Sequence, residues 1–200
     1  MRSAADGIAL WWLLVVTSVD AFRRKKTTCF SLRSQQLLLV AYLARYVDVC
    51  WNFTSLNMTM IKVHSIVAAS LGTVLLSLCF DSDGPFPRAQ LGVCALLGLL
   101  INQDHTSLFE MSLAASLYLE ASALLPQKRL LAASQHAAGQ DPPLLFVMIL
   151  LTGQLCSFLS WYHRIIFDVD YVQRMVWSAG LARLLILGYF VVSVLAKKLL

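Results

Sequence analysis

Apolar residues along the chain gather into long runs that short polar or basic stretches separate. Seven such runs cover residues 5–22, 34–53, 58–80, 88–102, 106–125, 142–161 and 171–196. A helix that crosses the ~30 Å hydrocarbon core of a bilayer needs about 20 mostly apolar residues. The run 88–102 is short for that distance, whereas the others come close to it or exceed it. The pattern predicts an all-α membrane protein with seven transmembrane helices, formed by residues 1–200 as one domain.

Composition supports this class and narrows the chemistry. With 58% hydrophobic residues, 14% charged residues and a mean hydropathy of +0.70, the chain is too apolar for an ordinary soluble domain. Five cysteines and four histidines are scattered singly, without the spacing of a metal or redox site. No nucleophile-base-acid set and no glycine-rich phosphate loop is visible. We therefore expect no metal, no cofactor and no enzymatic activity.

Basic residues predict the orientation, because Lys and Arg of short loops concentrate on the cytosolic side. The cluster Arg23–Lys26 follows the first run directly, which places the amino terminus in the lumen and argues against a cleaved signal peptide ending near Ala21. Seven crossings then leave the carboxyl terminus in the cytosol. Ten basic residues fall on the cytosolic side and four on the luminal side. The net charge of +5 is thus a topology signal, and nothing indicates a nucleic-acid surface.

Two charged residues lie in the middle of the second run. Arg45 and Asp48 are three residues apart, so one continuous helix would carry both on the same face. Charge at that depth is costly and usually faces a bundle interior or a wet cavity. We interpret this helix as the wall of a polar pocket. The alternative is a structural Arg–Asp pair that locks two helices together.

The fifth run carries two acids, Glu110 near its start and Glu120 ten residues later. Ten residues rise about 15 Å along a helix, and both side chains can face the helix that bears Arg45. Acids at two levels of a pocket with a buried arginine suit a ligand that has both a carboxylate and an ammonium group. Alternatively, Glu120 stays neutral and only hydrogen-bonds a neighbour.

Several short motifs resemble one known family in the same order along the chain. They are Ser34-Gln35, Ala44-Arg-Tyr-Val-Asp48, Asn52-Phe-Thr-Ser-Leu56, Lys62-Val63, Leu100-Ile-Asn-Gln-Asp104, Glu110, Leu117-Tyr-Leu-Glu120, Leu124-Leu-Pro-Gln127 and Ala179-Gly-Leu181. Together they resemble the ER lumen protein-retaining receptors, also called KDEL receptors. The resemblance implies a fold of two three-helix repeats plus a linking helix, like that of the SWEET and PQ-loop transporters.

The resemblance also implies a function and a set of residues. The family binds the carboxyl-terminal tetrapeptide of escaped ER luminal proteins in the Golgi and returns them to the ER in COPI-coated vesicles. By resemblance, Arg45 receives the peptide carboxylate, Tyr46 and Asn52 line the same region, and Glu110 meets the ligand's basic residue. A pocket network would add Asp48, Tyr118 and Glu120.

This chain departs from the family pattern in the other half of the pocket. Leu151 and Trp161 stand where the family has two arginines, Trp12 where it has a pH-sensing histidine, and Tyr189 where an acidic residue is usual. The preferred tetrapeptide therefore stays open. His105, beside Asp104, is the replacement pH sensor that we favour, because a neighbouring carboxylate raises the pKa of a histidine.

Two alternatives concern the chain end and the function. Lys197 and Lys198 have the dilysine spacing that resembles COPI-binding signals, but a last transmembrane helix would carry flanking lysines in any case. A small-solute transporter of the SWEET or PQ-loop type is the alternative function, and it would need a midplane site between its repeats. In a purely structural membrane subunit, the buried charges would only pair with one another.

Overall fold

The computed structural model describes residues 31–50, 56–79, 85–101, 107–133 and 174–199, together with the single positions 152, 159, 162 and 166. Within these residues the chain forms six α-helices and one short 3-10 helix, and no strand. The helices are α1 (Leu32–Arg45), the 3-10 helix η1 (Val47–Cys50), α2 (Leu56–Cys79), α3 (Arg88–Leu100), α4 (Leu108–Ser122), α5 (Leu124–Ala133) and α6 (Arg174–Leu199). The predicted all-α class is confirmed.

Four predicted helices lie where the apolar runs place them. The runs 58–80, 88–102, 106–125 and 171–196 correspond to α2, α3, α4 and α6, each within a few residues at both ends. The first predicted helix at 5–22 lies outside the described residues, as does the sixth at 142–161 apart from single positions.

The second run does not form one helix, so the prediction for residues 34–53 is wrong in this respect. Helix α1 ends at Arg45, and its C-cap Tyr46 leaves the helical conformation at φ −111° and ψ 25°. The chain continues in η1, where Asp48 lies in the first turn. The β-branched side chains of Val47 and Val49 lower helix propensity here. Arg45 and Asp48 therefore do not share the face of one α-helix.

The fifth run, residues 106–125, corresponds to α4, and a proline explains why a separate helix, α5, follows it. Pro126 has no N–H, so it cannot donate to the carbonyl of Ser122 four residues earlier. Gln90 of α3 satisfies that carbonyl instead, with Nε2 2.8 Å from the Ser122 oxygen. Helix α4 accordingly ends at Ser122, and α5 begins at Leu124. A side chain of a neighbouring helix thus completes the hydrogen bonds that the proline leaves open.

The first turn of α5 is hydrogen-bonded to the start of α1. The backbone N–H of Gln127 donates to the Ser34 hydroxyl at 3.0 Å, and the Gln127 side-chain oxygen accepts from the Ser31 N–H at 2.7 Å. At the opposite end of α1, the Ser112 hydroxyl of α4 donates to the Ala44 carbonyl at 2.9 Å. These contacts show that α1 and α4 are antiparallel, and they fix their relative position along the axis.

Helix α4 lies at the centre of the described bundle and packs against α1, α3 and α6. The buried core includes the small residues Ala41, Ala114, Ala123 and Ala179. Small residues let helix backbones approach closely, as is typical of membrane bundles. Gly98 of α3 lies close to the α4 backbone, since an added Cβ would lie 2.6 Å from the backbone nitrogen of Ala115.

The exposed surface of α2 is mostly apolar, with His64 and Ser77 as exposed polar residues. A row of seven residues at every third or fourth position is exposed by between 40% and 78%: Leu56, Met60, Val63, Val67, Leu71, Val74 and Leu78. Among the described residues, the segments Thr59–Leu78 and Leu108–Gln127 are long and apolar enough to cross a membrane, and Arg88–Leu100 and Trp177–Ser193 are shorter apolar helices. A mostly apolar exposed face on a long helix suits contact with lipid rather than water.

Candidate functional site

Three charged side chains meet where α1, α4 and α6 come together. Glu120 of α4 pairs through Oε2 with Nη2 of Arg45, and through Oε1 with Nη1 of Arg183 at 2.6 Å. The side chains of Arg45 and Glu120 are 4% and 9% exposed, whereas that of Arg183 is 28% exposed. We call Arg45, Glu120 and Arg183 the charge cluster. It is an arrangement in which one carboxylate links two guanidinium groups.

The direction of side chains on helices explains how Arg45 reaches Glu120. The contact between Ala44 and Ser112 places Glu120 eight residues, or about 12 Å, farther along the axis of α4. Side chains on an α-helix point back toward its N-terminus. Because α1 and α4 are antiparallel, Arg45 and Glu120 extend toward each other and close this distance.

Two tyrosines flank the Arg45 side chain. The guanidinium carbon lies 5.5 Å from the centre of the Tyr42 ring, one turn earlier on α1. The rings of Tyr42 and Tyr46 are stacked, with centroids 6.1 Å apart and planes inclined by 15°. A cation over an aromatic face is stabilised further when water is excluded. Even so, Nε of Arg45 has no hydrogen-bond partner among the described residues.

Asp48 forms a separate ion pair. Its Oδ2 lies 2.5 Å from Nζ of Lys62 on α2, and its side chain is 10% exposed. The prediction that Arg45 and Asp48 share one helix face is therefore wrong, because α1 ends at Arg45 and each residue pairs with a different helix. Among the described residues, the second oxygen of Asp48 is buried without a hydrogen-bond partner.

Tyr118 and Glu110 occupy two further positions on α4. The Tyr118 hydroxyl lies 2.6 Å from the Ser178 hydroxyl and links α4 to α6 beside the charge cluster. Glu110 lies at the first turn of α4, where its N–H donates to the Ser107 hydroxyl at 3.4 Å. Its Oε2 is buried and has no hydrogen-bond partner among the described residues. Glu110 and Glu120 thus lie at different levels of the same helix, as the sequence predicts.

Other predicted residues lie outside what the structure describes. Asn52 and His105 belong to stretches beyond the described residues. The backbone of Lys197 and Lys198 is helical as part of α6. The roles assigned to these four residues stay predictions, as do the ligand-binding roles of the others.

The sequence-based interpretation missed Arg183 and Tyr42 as members of the site. Arg183 lies within the apolar run 171–196, but the sequence-based interpretation gave it no role. The rule that singles out Arg45 also applies to it, because an arginine inside an apolar run needs a partner. No sequence signal identifies Tyr42 apart from its position one turn before Arg45.

The buried charge cluster and the apolar outer face define a helical membrane protein with a polar site inside its bundle. The sequence model of the family "ER lumen protein retaining receptor" matches residues 26–164. The chain belongs to this family.

Individual relatives support the same membership. The chain is 31% identical to ER lumen protein-retaining receptor A of Arabidopsis thaliana over 182 residues, covering 86% of this chain and 78% of the relative. It is 30% identical to the ER lumen protein-retaining receptor of Petunia hybrida over 171 residues, with 80% and 77% coverage. The receptor of Entamoeba histolytica is 28% identical over 167 residues, with 80% and 77% coverage.

Proposed function

We propose that this chain is a retrieval receptor that binds the carboxyl-terminal tetrapeptide of escaped ER luminal proteins in the Golgi and returns them to the ER. Membership of the receptor family supports this function over the small-solute transporter. Family membership also supports a receptor of the ER and Golgi membranes rather than an enzyme. The observation that carries the binding mode concerns Arg45, which is buried inside the bundle and whose Nε has no hydrogen-bond partner among the described residues.

A terminal carboxylate fits Arg45 for chemical reasons. A guanidinium presents planar donors that can hold a carboxylate through two parallel hydrogen bonds. Such bonds strengthen where water is excluded, and the Arg45 side chain is only 4% exposed. Tyr46, which follows Arg45, and Asn52 would line the same region of the pocket.

The spacing of the acids on α4 fits the length of a tetrapeptide. Glu110 and Glu120 are separated by about 15 Å along the helix axis, and four extended residues span at most about 13–14 Å. With the carboxylate held at the level of the charge cluster, the basic residue at the other end of the peptide would lie near Glu110. Oε2 of Glu110, which has no hydrogen-bond partner in the described part of the chain, would receive it.

Seven transmembrane helices complete the proposed architecture, arranged as two three-helix repeats and a linking helix. Helices α1 and α4 are antiparallel. In contrast, Tyr118 pairs with Ser178 and Glu120 with Arg183, an order expected of parallel helices α4 and α6. A parallel pair supports one further crossing between them, where the sequence predicts the helix 142–161. The amino terminus would then be luminal and the carboxyl terminus cytosolic.

The remaining proposed partners follow from this orientation. Lys197 and Lys198 would be cytosolic and available to the COPI coat. The exposed apolar row of α2 would contact membrane lipid. His105, in the luminal loop before α4, would supply the pH dependence that lets a receptor bind in the Golgi and release in the ER.

Binding of labelled tetrapeptides to the purified full chain tests the proposal. A peptide ending in Lys-Asp-Glu-Leu with a free carboxylate should bind, and its amidated form should bind at least tenfold more weakly. Equal affinity of the two forms would contradict the receptor function. Accumulation of a small solute inside sealed vesicles that contain the chain, without discrimination between the peptides, would indicate the transporter instead.

A further inference from the structure

The charge cluster carries more positive than negative charge. Arg45 and Arg183 contribute two guanidinium groups, and Glu120 contributes one carboxylate, so the three side chains together carry one net positive charge. Among the described residues, no second acidic side chain pairs with either arginine. The nearby Asp48 is paired with Lys62. An uncompensated charge inside a membrane bundle is costly. The excess positive charge of the described cluster therefore favours an anionic ligand.

The two arginines differ in how accessible they are. The Arg45 side chain is 4% exposed and lies against the Tyr42 ring, whereas the Arg183 side chain is 28% exposed. Only Nη1 of Arg183 is used by Glu120. The remaining donors of the Arg183 guanidinium are therefore those that an incoming anion can reach first.

We propose that Arg183 is a second carboxylate-binding residue of the peptide site and sets its preference for acidic peptide ends. The peptide carboxylate would lie between the Arg45 and Arg183 guanidiniums, beside Glu120. Two guanidiniums and two carboxylates would then leave the site neutral. This inference rests on the proposed function, and it assigns to α6 a direct contact with the ligand.

A purely structural role for Arg183 would also account for its contact with Glu120. In that case Arg183 only offsets the Glu120 charge and stabilises the packing of α6 on α4. The structural role and the ligand-binding role predict different affinities when Glu120 and Arg183 are both replaced by neutral residues. The double variant Arg183→Gln with Glu120→Gln retains one net positive charge in the cluster but has only one guanidinium.

The experiment compares the affinities of the free-acid and amidated peptides for four variants of the full chain. Truncating one member of a buried charge pair typically costs 2–5 kcal/mol, so Arg183→Gln should weaken free-acid binding roughly thirtyfold or more. The amidated peptide should be affected little. The same replacement at the exposed Arg129 of α5 is the control and should change neither affinity.

The double variant and Arg183→Lys decide the mechanism. We expect the double variant to stay as weak as Arg183→Gln, and recovery of unmutated affinity would overturn a direct contact. Arg183→Lys keeps the positive charge that pairs with Glu120. It can therefore replace Arg183→Gln in the experiment if that variant does not fold. It should bind severalfold more weakly, because an ammonium lacks the planar fork, and unchanged affinity would overturn the inference.

The unmutated chain separates this inference from the proposed function. If it does not distinguish the free acid from the amide, the proposed function fails. If it does distinguish them and Arg183→Gln does so equally well, the receptor function stands and the role of Arg183 is wrong.

Discussion

Glu120 should be the most sensitive charged residue of the described bundle. Glu120→Ala removes the only carboxylate that the described residues offer to Arg45 and Arg183, and leaves two guanidiniums without it. Breaking a buried ion pair by removing one partner costs about 3–5 kcal/mol. For a chain of this length, 1 kcal/mol lowers the midpoint of thermal unfolding by about 2–4 °C, so we expect a drop of about 6–20 °C.

Thermal unfolding of the purified chain in detergent, followed by the monomer peak in size-exclusion chromatography, measures this effect. Arg129→Ala, which removes an exposed charge outside the cluster, is the control and should shift the midpoint very little. Glu120→Gln keeps the side-chain volume and one acceptor oxygen, so its midpoint should fall between those of Glu120→Ala and the unmutated chain. A midpoint for Glu120→Ala within 2 °C of the unmutated chain, a margin well below the drop expected, would show that the cluster does not hold α1, α4 and α6 together.

Three further changes test packing, sorting and pH dependence. Gly98→Ala should lower the thermal midpoint because its Cβ would lie 2.6 Å from the α4 backbone, whereas Gly92→Ala, with nothing within 4 Å, should not; equal midpoints would refute the close approach. Lys197→Ser with Lys198→Ser should shift the tagged chain out of the ER–Golgi cycle, as measured by its distribution between compartments. An unchanged distribution would show that these lysines only flank the last helix at the membrane surface. Peptide affinity should be higher at mildly acidic than at neutral pH, and His105→Ala should flatten this dependence; a flat profile in the unmutated chain would refute the switch.

The long apolar runs predicted most of the described helices, because such runs leave a membrane chain few alternatives. They did not predict α5 (Leu124–Ala133), which lies almost entirely beyond the fifth run, or the end of α1 inside the second run. The end of α1 at Arg45 depends on a cap at Tyr46 and on the attraction of Asp48 to Lys62 of another helix. Pro126 explains the break before α5 from the sequence. The hydrogen bond from Gln90 to the Ser122 carbonyl joins residues distant along the chain, so the sequence does not show it.

The charged residues of the site were predicted better than their pairing. Arg45 and Glu120 stand out in the sequence because charge is rare in apolar runs. Which acid meets which base depends on the offset between helices, and the contact of Ser112 with Ala44 sets that offset for α1 and α4. The sequence, taken one helix at a time, placed Arg45 and Asp48 on one face of a single helix and did not show which partner each would meet. Arg183 belongs to the site only because α6 packs beside α4 in the folded chain.

The central claim is that the Arg45 guanidinium holds a peptide carboxylate inside the bundle. Binding of the labelled free-acid tetrapeptide to the unmutated chain, Arg45→Lys and Arg45→Ala tests it most directly. We predict that Arg45→Ala abolishes binding and that Arg45→Lys recovers little, because an ammonium is a point donor without the planar fork of the guanidinium. Full binding by Arg45→Lys, with the preference for the free acid intact, would contradict the bidentate contact, and full binding by Arg45→Ala would contradict the site itself.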